Sequence, residues 1–237
     1  GVEKGITLGT PIAMMVENAD ANAADYRAIA MVPRPSHADL TYRLKYGVAA
    51  SSGGGRASAR ETVGRVMGGA VAEVFLKDRH GVEIVAWVSS VGTIDAPDME
   101  SAGITRKQVD LSPTRCPHSF TAAKMKREIE KTARAGDSVG GIITCVCRNV
   151  PAGWGEPVFD KINAVLGAAM LSIPAVKGFE IGSGFEGSRM RGSAHNDMFV
   201  RKGGVIGTRT NRSGGVQGGI TNGEPIVMRV AFKPTAT

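Results

Sequence analysis

The stretch Ile226-Val-Met-Arg-Val-Ala-Phe232 sets Ile226, Met228, Val230 and Phe232 against Val227, Arg229 and Ala231. Successive side chains on a strand point to opposite faces, so this alternation predicts a strand with one buried face. Working outward, the runs Ile12–Val16, Glu83–Val88 and Gly141–Cys147 also read as strands. Helical patterns lie between them. Over residues 59–77, Val63, Val66, Met67, Ala70, Val71, Val74 and Phe75 recur at the i, i+3, i+4, i+7 spacing of an amphipathic helix. Ser58-Ala-Arg-Glu61 before it has the form of a capping box. Pro117-His-Ser119 opens a second helix, with Met125 and Ile129 expected to be buried and Gly136 as its stop. A third is expected from about Pro157 to Met170, with Phe159, Ile162, Leu166 and Met170 on one face. Helices and strands alternate loosely, and no strand, glycine-rich turn and helix of the doubly wound type stands at the start. The reading is α+β in one domain over residues 1–237, without internal repeat or linker.

Composition narrows the function classes. The 237 residues are 42% hydrophobic, which suits a globular fold with a real core. Glycine supplies 32 of them, about twice the usual share of roughly 7%. The glycines cluster at 53–55, 140–141, 182–184, 203–207 and 214–223 with no Gly-X-Y period, a pattern of loops at a ligand site. The net charge of +7 suits anionic substrates. There is no run of five like charges and there are only three Tyr and two Trp, so nucleic acid is not the expected partner. Cys116, Cys145 and Cys147 lack the spacing of a disulfide framework or a zinc site, and the last two are expected on one face of a strand as small buried residues. The longest apolar run, Ala164–Val176, contains Ser172 and Pro174 and is too short to span a bilayer. The chain reads as cytoplasmic, or plastid-stromal in a plastid-bearing organism. It begins at Gly1 and stops after Lys233-Pro-Thr-Ala-Thr237, and both ends read as cut inside a domain.

The densest chemistry lies in Arg34-Pro-Ser-His-Ala-Asp39 and in Gly53-Gly-Gly-Arg-Ala-Ser-Ala-Arg-Glu-Thr62. Glycines allow close backbone approach, and a helix start with Arg56 and Arg60 beside it favours an anion. His37 is the candidate proton-exchanging group, with a surface or helix-capping histidine as the plain alternative. His80 and His118 read as solvated, and His195 as either. The glycine triplet lacks the Gly-Lys-Ser/Thr ending of a nucleoside-triphosphate loop. Asn211 to Pro225 holds more turns than a simple hairpin needs and reads as a flexible loop or a backbone cradle for a flat or anionic cofactor. Lys233 and Thr235 follow the last strand, where they could reach a phosphate. Asn196 and Asp197 could bond a ligand ring or form an Asx turn.

Taken together and in order, these segments resemble the chorismate synthase family. The resemblance rests also on Thr7-Leu-Gly-Thr-Pro-Ile12, Lys45-Tyr-Gly47, Gly153-Trp-Gly-Glu-Pro-Val-Phe-Asp160, Ile173-Pro-Ala-Val-Lys-Gly-Phe-Glu180, Gly192–Asp197 and Phe232-Lys-Pro-Thr235. It implies a helical layer sandwiched between two antiparallel β-sheets, assembled as a homotetramer. It implies a lyase that converts 5-enolpyruvylshikimate 3-phosphate to chorismate and phosphate with reduced FMN, without net redox change, in the shikimate pathway of aromatic amino acid biosynthesis. NADPH is the reductant that some members use. By the same resemblance His37 protonates the reduced flavin, and Arg34 and Arg60 bind the anionic substrate. Arg56, Ala57, Ser58, Asn196, Asp197, Gly218, Lys233, Pro234, Thr235, Ala236 and Thr237 are then FMN contacts. The family's Gly-Glu-Ser-His and Arg-His-Asp segments have no counterpart in the sequence, and Ala49 stands where an arginine often follows Tyr-Gly-x. Reduced or absent turnover is therefore the expectation. Other readings remain open: a basic module for phosphate or nucleic acid without catalysis, an inactive FMN-binding core, and a flavin reductase without lyase activity.

Overall fold

Residues 1–19, 32–48, 55, 58–99 and 103–236 are described in the computed structural model. The contacts divide the chain into two units, Gly1–Ala72 and Glu73–Thr237. In the first, β1 (Val2–Glu3) and β2 (Ile6–Thr7) pair antiparallel. Helix α1 (Asp39–Tyr46) follows, with an acidic residue in its first turn and Gly47 in the left-handed conformation as its cap. A short 3₁₀ turn (Ala59–Glu61) leads into α2 (Thr62–His80), which ends in the second unit. The expected strand at Ile12–Val16 is not formed. Met14, Met15 and Val16 are exposed, and without a neighbouring strand to take its hydrogen bonds an apolar run stays irregular.

In the second unit, β3 (Glu83–Val91) pairs with β4 (Ile94–Asp95) and β5 (Gly141–Arg148). Helices α3 (Arg106–Asp110) and α4 (Ser119–Arg134) lie between them in sequence. Then come α5 (Ile162–Leu171), β6 (Val176–Ile181), and the short α6 (Gly184–Gly187) and α7 (Gly192–His195). Two antiparallel hairpins and a last strand follow: β7 (Phe199–Lys202) with β8 (Val205–Thr208), β9 (Val216–Gln217) with β10 (Ile220–Thr221), and β11 (Ile226–Phe232). The sheet order is β4-β3-β5-β11-β6, and every pairing is antiparallel, so the fold is α+β as expected.

Register determines what each face of this sheet carries. Ile84, Cys147 and Ile226 align, as do Ala86, Cys145, Met228 and Ile181. This first face is covered by Ile162, Leu166 and Met170 of α5 and by Leu76 of α2. Further along, Val88 and Val91 meet the wholly buried Met125 of α4. The second face carries Val85, Val146 and Val227 under Ile104 and Val109. Its next row, Trp87, Thr144, Arg229 and Glu180, is mostly polar and ends in the cross-strand ion pair Arg229–Glu180. Cys145 and Cys147 share the first face as expected, and the hydrogen bond with Cys147 together with burial pushes the Cys145 thiol up. It is packing material rather than a nucleophile.

Two expected helix details differ. α5 begins at Ile162, and Phe159 is 89% exposed in a loop closed by the Glu156–Asp160 bridge. Ile129 is 41% exposed, although Met125 one turn earlier is buried as expected. α4 does stop at Gly136, which takes φ +70° directly after the cap.

Candidate functional site

Pro35 restricts the residue before it to extended backbone, and Ser36 then takes φ +58°. This tight turn brings three side chains of the first unit together. Arg34 Nε lies 2.8 Å from Asp39 Oδ2, and Arg34 Nη2 3.1 Å from Asp39 Oδ1. His37 Nδ1 lies 2.7 Å from Asp39 Oδ1 and 3.2 Å from Arg34 Nη2. The Arg34 guanidinium holds the Asp39 carboxyl well below the usual carboxylate range, against the cost of burial. A carboxylate at that distance makes Nδ1 the donor, so the neutral imidazole carries its open lone pair on Nε2. His37 is neither a loose surface group nor a helix cap. Arg34 orders this pair as well as contributing charge.

Ser58 is the N-cap of the 3₁₀ turn, and its Oγ accepts the Arg60 N–H at 3.3 Å. The capping position read from Ser-x-x-Glu is therefore correct, and the first turn is tighter than an α-turn. Arg60 sits in that turn, exposed. Gly53, Gly54, Arg56, Ala57, Ala49 and Thr237 lie outside the described residues.

The second unit builds its cradle from Asp197. Its carboxylate accepts from Thr210 Oγ1 at 2.6 Å, from Arg212 N at 2.8 Å and from Ser213 N at 2.8 Å. Burial pushes this carboxyl up, but these hydrogen bonds outweigh it and the net shift is downward. Asn211 continues the clamp, accepting from Gly215 N and donating to Pro225 O. The chain from 211 to 225 is thus a fastened cradle rather than a flexible loop. Beyond it, β9 and β10 turn at Gly218 and Gly219, with φ +61° and +89°. Two successive positive φ angles are what a tight hairpin demands. Gly218 is exposed at the tip, and an added Cβ there meets no described atom. The hairpin's foot is held by Thr221, whose hydroxyl donates to Pro151 O and accepts from Trp154 N.

At the end of β11, Lys233 N donates to Ala175 O, and Thr235 O accepts from Ser138 Oγ at 2.6 Å. Lys233 Nζ donates to Pro234 O at 3.0 Å, and no carboxylate among the described residues pairs with it. Asn196 caps α7 and is exposed. His195 bonds Ser183 Oγ through Nε2 at 2.9 Å. His118 corrects its reading as solvated: it is the N-cap of α4, with Nδ1 2.8 Å from Thr121 Oγ1. His80 is exposed, with its ring edge-on to Trp154. Asp39, Asn211 and Thr221 hold these segments through hydrogen bonds that the sequence reading left unassigned. The Arg-x-x-His-x-Asp spacing was the available signal for the first.

Comparison with known proteins supplies what geometry alone does not. The family model for chorismate synthase matches residues 1–237. This chain belongs to the chorismate synthase family. It is 54% identical over 238 residues to a chorismate synthase of Synechococcus sp. (strain WH7803), covering all of this chain and 66% of that protein. A chorismate synthase of Schizosaccharomyces pombe is 53% identical over 264 residues, covering 100% of this chain and 67% of that relative. A solved structure described as the crystal structure of chorismate synthase superposes with a TM-score of 0.74 at 35% identity, over 83% of this chain and 63% of the other. The chain therefore spans just under two thirds of the length of the first of these chorismate synthases. No helix among the described residues is long and apolar enough to cross a membrane.

Proposed function

We propose that residues 1–237 act as one catalytic domain that converts 5-enolpyruvylshikimate 3-phosphate to chorismate and phosphate by anti-1,4-elimination. Family membership and the Arg34–Asp39–His37 arrangement carry this reading together. The substrate loses phosphate and the hydrogen on carbon 6, so its carbon skeleton is not oxidised or reduced overall. Reduced FMN, when bound, supplies the electron density that assists phosphate departure.

The chain's own residues have separable tasks. His37 exchanges a proton at Nε2, because Asp39 fixes the other nitrogen as a donor. Arg60 and Arg34 bind the anionic groups of the substrate, and Arg34 also holds Asp39 ionised. On the second unit the fit to a flavin phosphate rests on two observations. Lys233 presents an ammonium that no described carboxylate neutralises, and the exposed Gly218 lets backbone approach a ligand without a Cβ between them. Ser58, Asn196, Asp197, Pro234, Thr235 and Ala236 complete the flavin-binding set in this reading, with Arg56, Ala57 and Thr237. NADPH is the reductant, and the compartment is the cytosol or, in a plastid-bearing organism, the stroma.

The assembly in this reading is a homotetramer. Met198, Phe199, Val205 and Ile206 on and beside the β7–β8 hairpin are each at least 62% exposed, an apolar surface suited to self-association. Sedimentation equilibrium tests it.

The deciding experiment is an FMN absorbance titration with and without 5-enolpyruvylshikimate 3-phosphate, then anaerobic reduction and an assay for chorismate. Substrate-enhanced flavin binding with product formation is expected. Flavin binding without product, or no flavin response, overturns the reading for this chain.

A further inference from the structure

The second face of the five-stranded sheet opens on a cavity of about 480 Å³ that none of Asn196, Asp197, Gly218 or Lys233 to Ala236 lines. Its floor is Trp87 and Val227, with the hydrogen-bonded pair Ser89–Thr144 beside them. Its lining carries five charged side chains, Asp95, Asp98, Glu186, Arg212 and Arg229. Two of these are already matched. Arg229 pairs with Glu180, and Glu186 with Arg189 at 3.8 Å.

Three are not matched among the described residues. Arg212 makes no ion pair there. Its Nη1 donates to Met190 Sδ at 3.5 Å, a weak acceptor, and its Nε is buried without any hydrogen-bond partner. Asp95, the last residue of β4, and Asp98, just beyond it, likewise have no ionic partner among the described residues. A guanidinium N–H withdrawn from water and left unpartnered is a costly arrangement, and a carboxylate is its best complement. A simple anion in this cavity would also face two aspartates. A simple cation would leave Arg212 as it stands. Only a ligand with both charges complements both kinds of side chain, and Trp87 and Val227 in the same lining suit an apolar group.

We propose that this cavity binds a zwitterionic α-amino acid with an apolar side chain, its carboxylate on Arg212 and its ammonium facing Asp95 and Asp98. The site is independent of the catalytic reading, because no residue assigned to substrate or flavin lines it.

The test is calorimetry on the full chain with L-leucine as probe, beside 4-methylpentanoate, which lacks the ammonium, and 3-methylbutylamine, which lacks the carboxylate. Saturable leucine binding is expected, with each analogue weaker by about tenfold or more. Arg212→Gln should weaken leucine by a similar factor and leave the amine unchanged. The double variant Asp95→Asn/Asp98→Asn should weaken leucine and leave 4-methylpentanoate no weaker. Circular dichroism melts identify any variant that does not fold, and the analogue series on the unaltered chain decides without them. Absence of saturable leucine binding overturns the proposal. So does 4-methylpentanoate binding as tightly as leucine, or a folded Arg212→Gln variant that binds leucine unchanged.

Discussion

His37 Nδ1 stands 2.7 Å from Asp39 Oδ1, two residues further along the same turn, and the carboxylate that receives it is held ionised by Arg34. A carboxylate behind an imidazole selects its tautomer, so the histidine's chemistry depends on a residue that never needs to touch the ligand.

Asp39→Asn should lower chorismate formation by about a hundredfold or more while flavin affinity changes little. Steady-state assay beside flavin titration separates the two. Full activity in Asp39→Asn would remove the His–Asp pair from the mechanism. The same variant has a pH signature. The folded pKa of Asp39 lies below its unfolded value, so its stabilisation is complete above the ordinary carboxylate range and is lost as pH falls through the folded value. The difference in melting temperature between wild type and Asp39→Asn should therefore shrink on acidification from pH 7.

Lys233→Met should weaken FMN by about tenfold and leave riboflavin, which lacks the phosphate, nearly unaffected. Equal loss for both ligands would mean that Lys233 supports the fold of the strand end instead.

Asp197→Asn turns one of the acceptors for Ser213 N and Arg212 N into an amide. A loss of about 1–3 kcal/mol in urea unfolding at pH 7 is expected. Because the folded pKa of Asp197 is lowered, this loss too should fade as the solution becomes acidic. A loss independent of pH would contradict the carboxylate's role.

Two alanine substitutions should move stability in opposite directions. Gly182 has φ +57°, and a Cβ there would lie 2.1 Å from Arg212 O, so Gly182→Ala should destabilise by more than about 1 kcal/mol. Gly68, inside α2 with ordinary helical backbone, has no described atom within 4 Å of such a Cβ. Gly68→Ala should stabilise by about 0.5–1 kcal/mol. Thermal melts of the two variants decide both.

Strands β5 and β11 and helices α2 and α4 were legible in the sequence because each satisfies one strong period over its whole length. The Ile12–Val16 run had apolar content but no partner strand among the described residues, and pairing cannot be read from a single segment. Phe159 looked like part of a helix face because 159, 162, 166 and 170 are spaced for one, yet the Glu156–Asp160 bridge holds the chain in a loop until Lys161. At the candidate site, glycine density and basic residues drew attention to segments that the structure fastens by hydrogen bonds. The tertiary bonds that fasten them, Asp197 to Ser213 and Thr221 to Pro151, join residues 16 and 70 positions apart. No local pattern announces a bond of that span. His118 was misread for a related reason: capping by an imidazole is rarer than capping by the serine beside it.

Gly219 O accepts the N–H of Ile162, the first residue of α5, and Gly155 packs so closely that a Cβ there would lie 2.2 Å from the same oxygen. One carbonyl thus pins a hairpin tip, a helix start and the Gly153–Gly155 loop into a single braced arch. A ligand settling on Gly218 meets a surface whose shape was set when the sheet folded. Binding there has little backbone left to order, and loosening the tip means unravelling the first turn of a core helix.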